Sequence, residues 1–138
     1  MRYLDIPLTN LIPVEEALDS DQFATVHISN YLLRKEGKKI SPIWVFSHPY
    51  EKGNFLIYDG KHRAVSCLIL NDPSVPSYLM KNLRDIMKHH SGESFFERPE
   101  SFEKELELTL KSLKRAQESG VRTIDDLLKR FVIENFPI

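Results

Sequence analysis

Five consecutive residues, Asp59-Gly60-Lys61-His62-Arg63, hold the densest chemistry in this chain. The apolar run Phe55-Leu56-Ile57-Tyr58 leads into them, and Ala64-Val65 with Cys67-Leu68-Ile69 leads out. That pattern is a strand, a glycine turn and a helix. Such a turn leaves the first helical N–H groups pointing at whatever lies over them, and the helix dipole adds about half a positive charge at that end. Lys61, His62 and Arg63 place further positive charge where the dipole already disfavours it. An anion is the natural compensator, and phosphate suits the arrangement best. Arg63 offers paired planar donors and Lys61 a mobile point charge. The plainer reading is a solvated helix start, and three cations in one first turn argue against it.

Asp59 closes the strand beside this cradle. It is a candidate to orient His62 or Arg63, to hold Mg²⁺ alongside phosphate and water, or to meet a ribose hydroxyl. As a purely structural residue it would cap the helix. In Leu11-Ile12-Pro13-Val14-Glu15-Glu16, two carboxylates follow a proline turn. Taken alone they read as solvated loop charges.

Asp59-Gly60-Lys61-His62-Arg63-Ala64 resembles the Asp-Gly-X-His-Arg signature of the ParB/sulfiredoxin-like superfamily, whose domains bind nucleotide phosphates on that turn. Asp5-Ile6-Pro7-Leu8 with Leu11-Ile12-Pro13 resembles the opening strand and turn of the family. Ser41-Pro42-Ile43-Trp44-Val45 resembles its Pro-Ile-X-Val strand, and Val75-Pro76-Ser77-Tyr78-Leu79 the strand after the signature helix. In motif the chain is nearest to the free serine kinases. Glu15 stands at the glutamate of their Pro-X-Glu, which acts as base on the serine hydroxyl. The resemblance implies ATP, ADP or CTP with Mg²⁺, cradled by Gly60, Lys61, His62 and Arg63. It makes Glu15 and Asp59 the catalytic carboxylates and Asp59 the Mg²⁺ ligand. The reaction implied is phosphoryl transfer to a small hydroxyl substrate such as serine, or to water. The alternative is a non-catalytic or DNA-associated ParB-like module regulated by nucleotide.

Departures from the family narrow these readings. Lys61 stands where the kinases often carry histidine and where sulfiredoxins carry their reactive cysteine. The single cysteine, Cys67, falls in the apolar run of the helix and reads as a buried thiol, so sulfinic acid reduction is not implied. Asn82-Leu83-Arg84 only echoes a ParB motif, and the remaining length is short for DNA-binding and dimerisation domains. Lys81, Arg84, Lys88, His89 and His90 read as a solvated basic stripe. Adjacent histidines on a helix diverge by about 100° and cannot chelate one metal as an i, i+4 pair could. His27 and His48 show no partner pattern. Trp44 alternates to the face opposite Ile43 and Val45, as a core residue or a stacking wall for a nucleotide.

The gross numbers agree with one small domain. The 138 residues carry a formal charge of −1, which argues against nucleic-acid binding by the chain alone. One cysteine excludes an internal disulfide and fits a reducing compartment. No apolar signal segment and no membrane-length apolar run is visible, so a cytoplasmic protein is expected. The expected fold is α+β, a small mixed β-sheet with surrounding helices and two C-terminal helices. Residues 1–138 form one domain, with a nucleotide-binding core over 1–80 and a helical extension over 81–138 that caps the core or serves a homodimer. Strands are expected over 3–8, 42–47, 54–58 and 75–80, the middle two as a hairpin. A first helix follows Asp19-Ser20-Asp21 with a stripe of Phe23, Val26, Tyr31 and Leu32 or Leu33, and stops at Gly37. Later helices are expected over 61–70, 82–90 and 101–119. A last one is capped by Thr123 with Asp126 three residues on, and residues 91–94 read as a loop.

Overall fold

The computed structural model describes residues 1–90 and 99–136; the loop read over 91–94 lies outside them. A five-stranded mixed sheet runs through the middle. Its strands are β1 (Arg2–Pro7), β2 (Leu11–Ile12), β3 (Ile43–Ser47), β4 (Phe55–Asp59) and β5 (Ser74–Leu79), in the order β1-β5-β3-β4-β2. β3 and β4 form the expected antiparallel hairpin, β1 pairs antiparallel with β5, and the β3–β5 and β2–β4 pairs are parallel. The helices are α1 (Ser20–Lys35), α2 (Lys61–Ile69), α3 (Leu83–His89), α4 (Phe102–Glu118) and α5 (Ile124–Asn135). The fold is thus the α+β arrangement expected.

Strand alternation divides the core in two. Ile43 and Val45 of β3, with Ile57 of β4, face a cluster that also takes Phe23 of α1, Val65 and Cys67 of α2 and Leu127 of α5. Trp44 and Phe46, with Leu56 and Tyr58, face the other way and meet Ile86 of α3 and Leu106, Leu110 and Leu113 of α4. The two last helices therefore serve both faces, and α5 packs directly on α2.

Capping follows the sequence closely. The Asp19 carboxylate accepts the Gln22 N–H at the start of α1, and Thr123 with Asp126 forms a full capping box on α5. The stripe of α1 is where the reading needs correction. Phe23 is buried and Leu33 packs against the core, while Tyr31 and Leu32 are about half exposed. Leu32 lies nine residues beyond Phe23, which is half a turn round the helix, so both cannot face the sheet. Buried Asn30 takes the inward position instead. At the far end of the chain, the Arg130 guanidinium of α5 donates to the Glu16 carbonyl at 2.9 Å and to the Ser119 side chain at 3.1 Å.

Candidate functional site

The turn between β4 and α2 is built around Gly60. Its φ is +118°, in the left-handed region. A Cβ there would lie 2.6 Å from Ile43 Cβ, and closer still to the Ile43 γ-methyl. Among the described residues, no other glycine combines that backbone with so close an approach. α2 opens at Lys61 immediately afterwards, as expected, and among the described residues no side chain caps its N-terminus. The aspartate cap considered for Asp59 is not formed, because Gly60 occupies the capping position. The first N–H groups of α2 are thus left for another acceptor.

A cavity of about 180 Å³ adjoins this turn, lined among others by Glu15, Gln22, Asp59, Gly60, Lys61 and His62. Glu15 arrives on the segment after β2, across from the turn. The Lys61 ammonium donates to the Glu15 carboxylate and, at 2.9 Å, to the Ala17 carbonyl. His62 is not a third cation. Its Nε2 accepts the Asp19 N–H at 3.1 Å and so carries no proton there. Burial, with Lys61 beside it, lowers its pKa below the usual histidine value. Arg63 points elsewhere. Its guanidinium donates to the Pro42 carbonyl at 2.5 Å, and it does not line the cavity. Of the residues singled out from sequence, five therefore converge on one space, and the sixth braces the loop before β3 from behind.

Asp59 is placed by an irregularity in the hairpin. Val45 pairs with Ile57, but the next β3 residue, Trp44, pairs with Asp59, so Tyr58 is an extra residue in β4. Such a bulge re-aims the side chains beside it. The Asp59 carboxylate meets His89 Nε2 at 2.7 Å. That hydrogen bond lowers the Asp59 pKa against the opposing effect of burial, helped by the nearby Arg63 charge and by the Gly60 N–H. The neighbouring Tyr58 hydroxyl lies 2.7 Å from His90 Nε2 and donates to the Glu105 carboxylate at 2.6 Å.

His89 and His90 are thus not a surface pair. Their divergence on α3 sends each to a different partner, and the partners are themselves consecutive, Asp59 and Tyr58. The sequence carried no local signal for this, because both contacts join residues about thirty positions apart. Trp44 packs edge-on against His89 and lies close to Tyr78 rather than lining the cavity. His27 and His48 also have partners. His27 Nδ1 is 2.8 Å from the Ser66 hydroxyl, and His48 Nδ1 accepts the Tyr50 and Glu51 N–H groups within the hairpin loop. Cys67 is buried, as expected, and desolvation with Asp72 beside it pushes the thiol up to about 12.

No model of a protein family matches this chain, and no curated protein matches it. Solved structures are similar to it. One is a mutant of a free serine kinase in complex with AMP, at 25% identity and a TM-score of 0.48, over 57% of this chain and 31% of that one. Another is sulfiredoxin from Arabidopsis thaliana, at 19% identity and 0.45, over 66% of this chain and 98% of that one. A third is C-terminally truncated ParB from Caulobacter crescentus complexed with CTP-gamma-S, at 16% and 0.48, over 69% and 56%. The matched region spans about a third of the free serine kinase chain.

Proposed function

We propose that this chain binds a nucleotide by its phosphates over the N-terminus of α2, and that it transfers a phosphoryl group from ATP or ADP to a small hydroxyl compound such as serine, or to water, with Glu15 as base. The observation that carries the first half is the uncapped start of α2 behind the left-handed Gly60, opening onto a cavity with Lys61 on its wall. Backbone N–H groups, dipole and ammonium all favour negative charge there. At about 180 Å³ the cavity is smaller than the roughly 300–1,000 Å³ that encloses a whole drug-sized ligand. It takes phosphates, and the nucleoside lies over its rim, so the geometry leaves CTP open beside ATP and ADP.

Glu15 and Asp59 border the same cavity, which supports the second half. The Lys61–Glu15 ion pair joins the two halves. An incoming phosphate competes with Glu15 for the Lys61 ammonium and leaves the carboxylate unpaired beside the acceptor. The acceptor oxygen then attacks the terminal phosphorus, the bond to the bridging oxygen breaks, and Glu15 takes the hydroxyl proton. Mg²⁺ fits this setting. It usually keeps several waters and takes one or two carboxylates with the phosphates, and Asp59 is a half-exposed carboxylate held in its charged form. Bound there, it would neutralise charge building on the phosphates.

A second reading has its own support. With Lys61 on Glu15 the base is neutralised, which suits a module that binds nucleotide without turning it over, alone or beside a partner that supplies contacts to DNA. Glu15→Gln separates the two. Calorimetry with ATP, ADP and CTP plus Mg²⁺ should show affinity retained, while phosphate release or transfer falls about 10²–10⁴-fold. Glu16→Gln is the control, because its contact with Arg130 is made by the backbone carbonyl. Binding without turnover in the unaltered protein leaves the non-catalytic module. Absence of binding by any of the three nucleotides removes the phosphate site.

A further inference from the structure

The Asp59 carboxylate is gripped by a side chain thirty residues further along the chain, from a helix outside the expected nucleotide-binding core. The contact is His89 Nε2 to Asp59 Oδ2 at 2.7 Å. A carboxylate in its charged form only accepts, so Nε2 carries the proton. The other ring nitrogen, Nδ1, is buried and has no hydrogen-bond partner among the described residues. A buried nitrogen left without a partner calls for a reason. Among the described residues only Asp59 orients this ring by hydrogen bonding; Trp44, Tyr58 and His90 hold it by edge-on contacts, with centroids 5.1, 5.3 and 4.6 Å away. The strand bulge at Tyr58 sets Asp59 opposite Trp44 rather than Ile43, which brings the carboxylate to the face where this aromatic cage lies. Bulge, cage and lone hydrogen bond all act on one group, and that group stands at the edge of the cavity.

We infer that His89 is a positioning residue for Asp59. It fixes the direction in which the carboxylate presents its remaining acceptor capacity to a ligand in the cavity, and so extends the site to α3. His89 itself does not line the cavity, so it acts through Asp59 alone. The inference rests on the nucleotide reading for its consequence and not for its geometry, and the two fail separately.

The experiment uses the full chain with ATP, with and without Mg²⁺. His89→Ala should lower ATP affinity by about 10-fold, the lower end of what removing a group behind a ligating residue costs. His89→Gln keeps an N–H donor and should recover most of that loss, with thermal melts confirming that both variants fold. In an Asp59→Ala background, His89→Ala should cost nothing further, since residues acting through one contact are not additive. An unchanged affinity in His89→Ala overturns the inference, and so does an equal loss in the Asp59→Ala background. The free protein supplies a measurement that needs no nucleotide. Its ¹⁵N imidazole spectrum should show His89 as the Nε2–H tautomer with a slowly exchanging proton, lost in Asp59→Ala. If the unaltered protein binds no ATP, the nucleotide reading falls and this spectrum decides; a His89 signal unaffected by Asp59→Ala overturns the positioning role.

Discussion

The two faces of the sheet are covered by opposite means. Toward α1, α2 and α5 the strands present Ile43, Val45 and Ile57 to Phe23 and mostly aliphatic side chains, and what they build is an apolar layer, the dry face, under the β4–α2 turn. Toward α3 and α4 the same strands present Trp44, Phe46 and Tyr58, and the layer there includes His89, His90 and Glu105 hydrogen-bonded to strand residues. The dry face fixes where the turn is. The polar face fixes how the carboxylate at the end of β4 is aimed and charged. One residue, Tyr58, belongs to the irregularity that lets a single strand serve both.

The dry face should fail hardest when space is removed from it. Gly60→Ala forces a Cβ against Ile43 and a strained backbone at once, and should destabilise the fold by about 2–6 kcal/mol in denaturant unfolding. A variant that unfolds at the native midpoint would show that the turn relaxes and that the close approach is not required. Leu127→Ala, a fully buried position on α5, should cost about 2–5 kcal/mol through the void it leaves. On the polar face, Tyr58→Phe removes a hydroxyl and little volume, and should cost about 1–2 kcal/mol. If Tyr58→Phe matched Leu127→Ala, the contrast between the faces would be wrong.

The smallest effect is a pH dependence at the junction. His62 has its pKa lowered from 6.5 by burial. Between the folded value and 6.5 the unfolded chain binds a proton that the folded chain does not, so stability rises with pH across that window. Acidification below about pH 6.5 should therefore destabilise the protein. His62→Gln, which keeps an acceptor for the Asp19 N–H, should flatten the profile of melting temperature against pH between 7 and 5. Asp59 has the same sign by another route. Its lowered pKa contributes stability that is present above 3.8 and lost as the pH falls through the folded value.

Much of the dry face was legible because its signals are local. A strand ending at Asp-Gly, an apolar helix starting at once, and caps at Asp19 and Thr123 all depend on residues within a turn of one another. The direction of Arg63 was not legible, since a guanidinium in the first turn of a helix can reach either the ligand or a carbonyl behind it, and Pro42 supplied the carbonyl. Tyr31 and Leu32 misled because apolar type was read ahead of angular position. The partners of His89 and His90 were illegible for a deeper reason. They depend on a one-residue register shift in β4, and nothing in the strand composition announces it.

The hold of Arg130 on the Glu16 carbonyl has a practical reach. That contact spans 114 positions, from the last helix to the short segment that carries Glu15. A fragment cut after the signature strands would keep the glycine turn and every residue of the motif, and would lose the clasp that sets the opposite wall of the cavity. In such a fragment the width of the gap between Glu15 and the turn would no longer be fixed by a guanidinium. Anyone searching for a minimal working unit should therefore trim from the loops inward and leave the C-terminal helix in place, because the wall that faces the motif is fastened there.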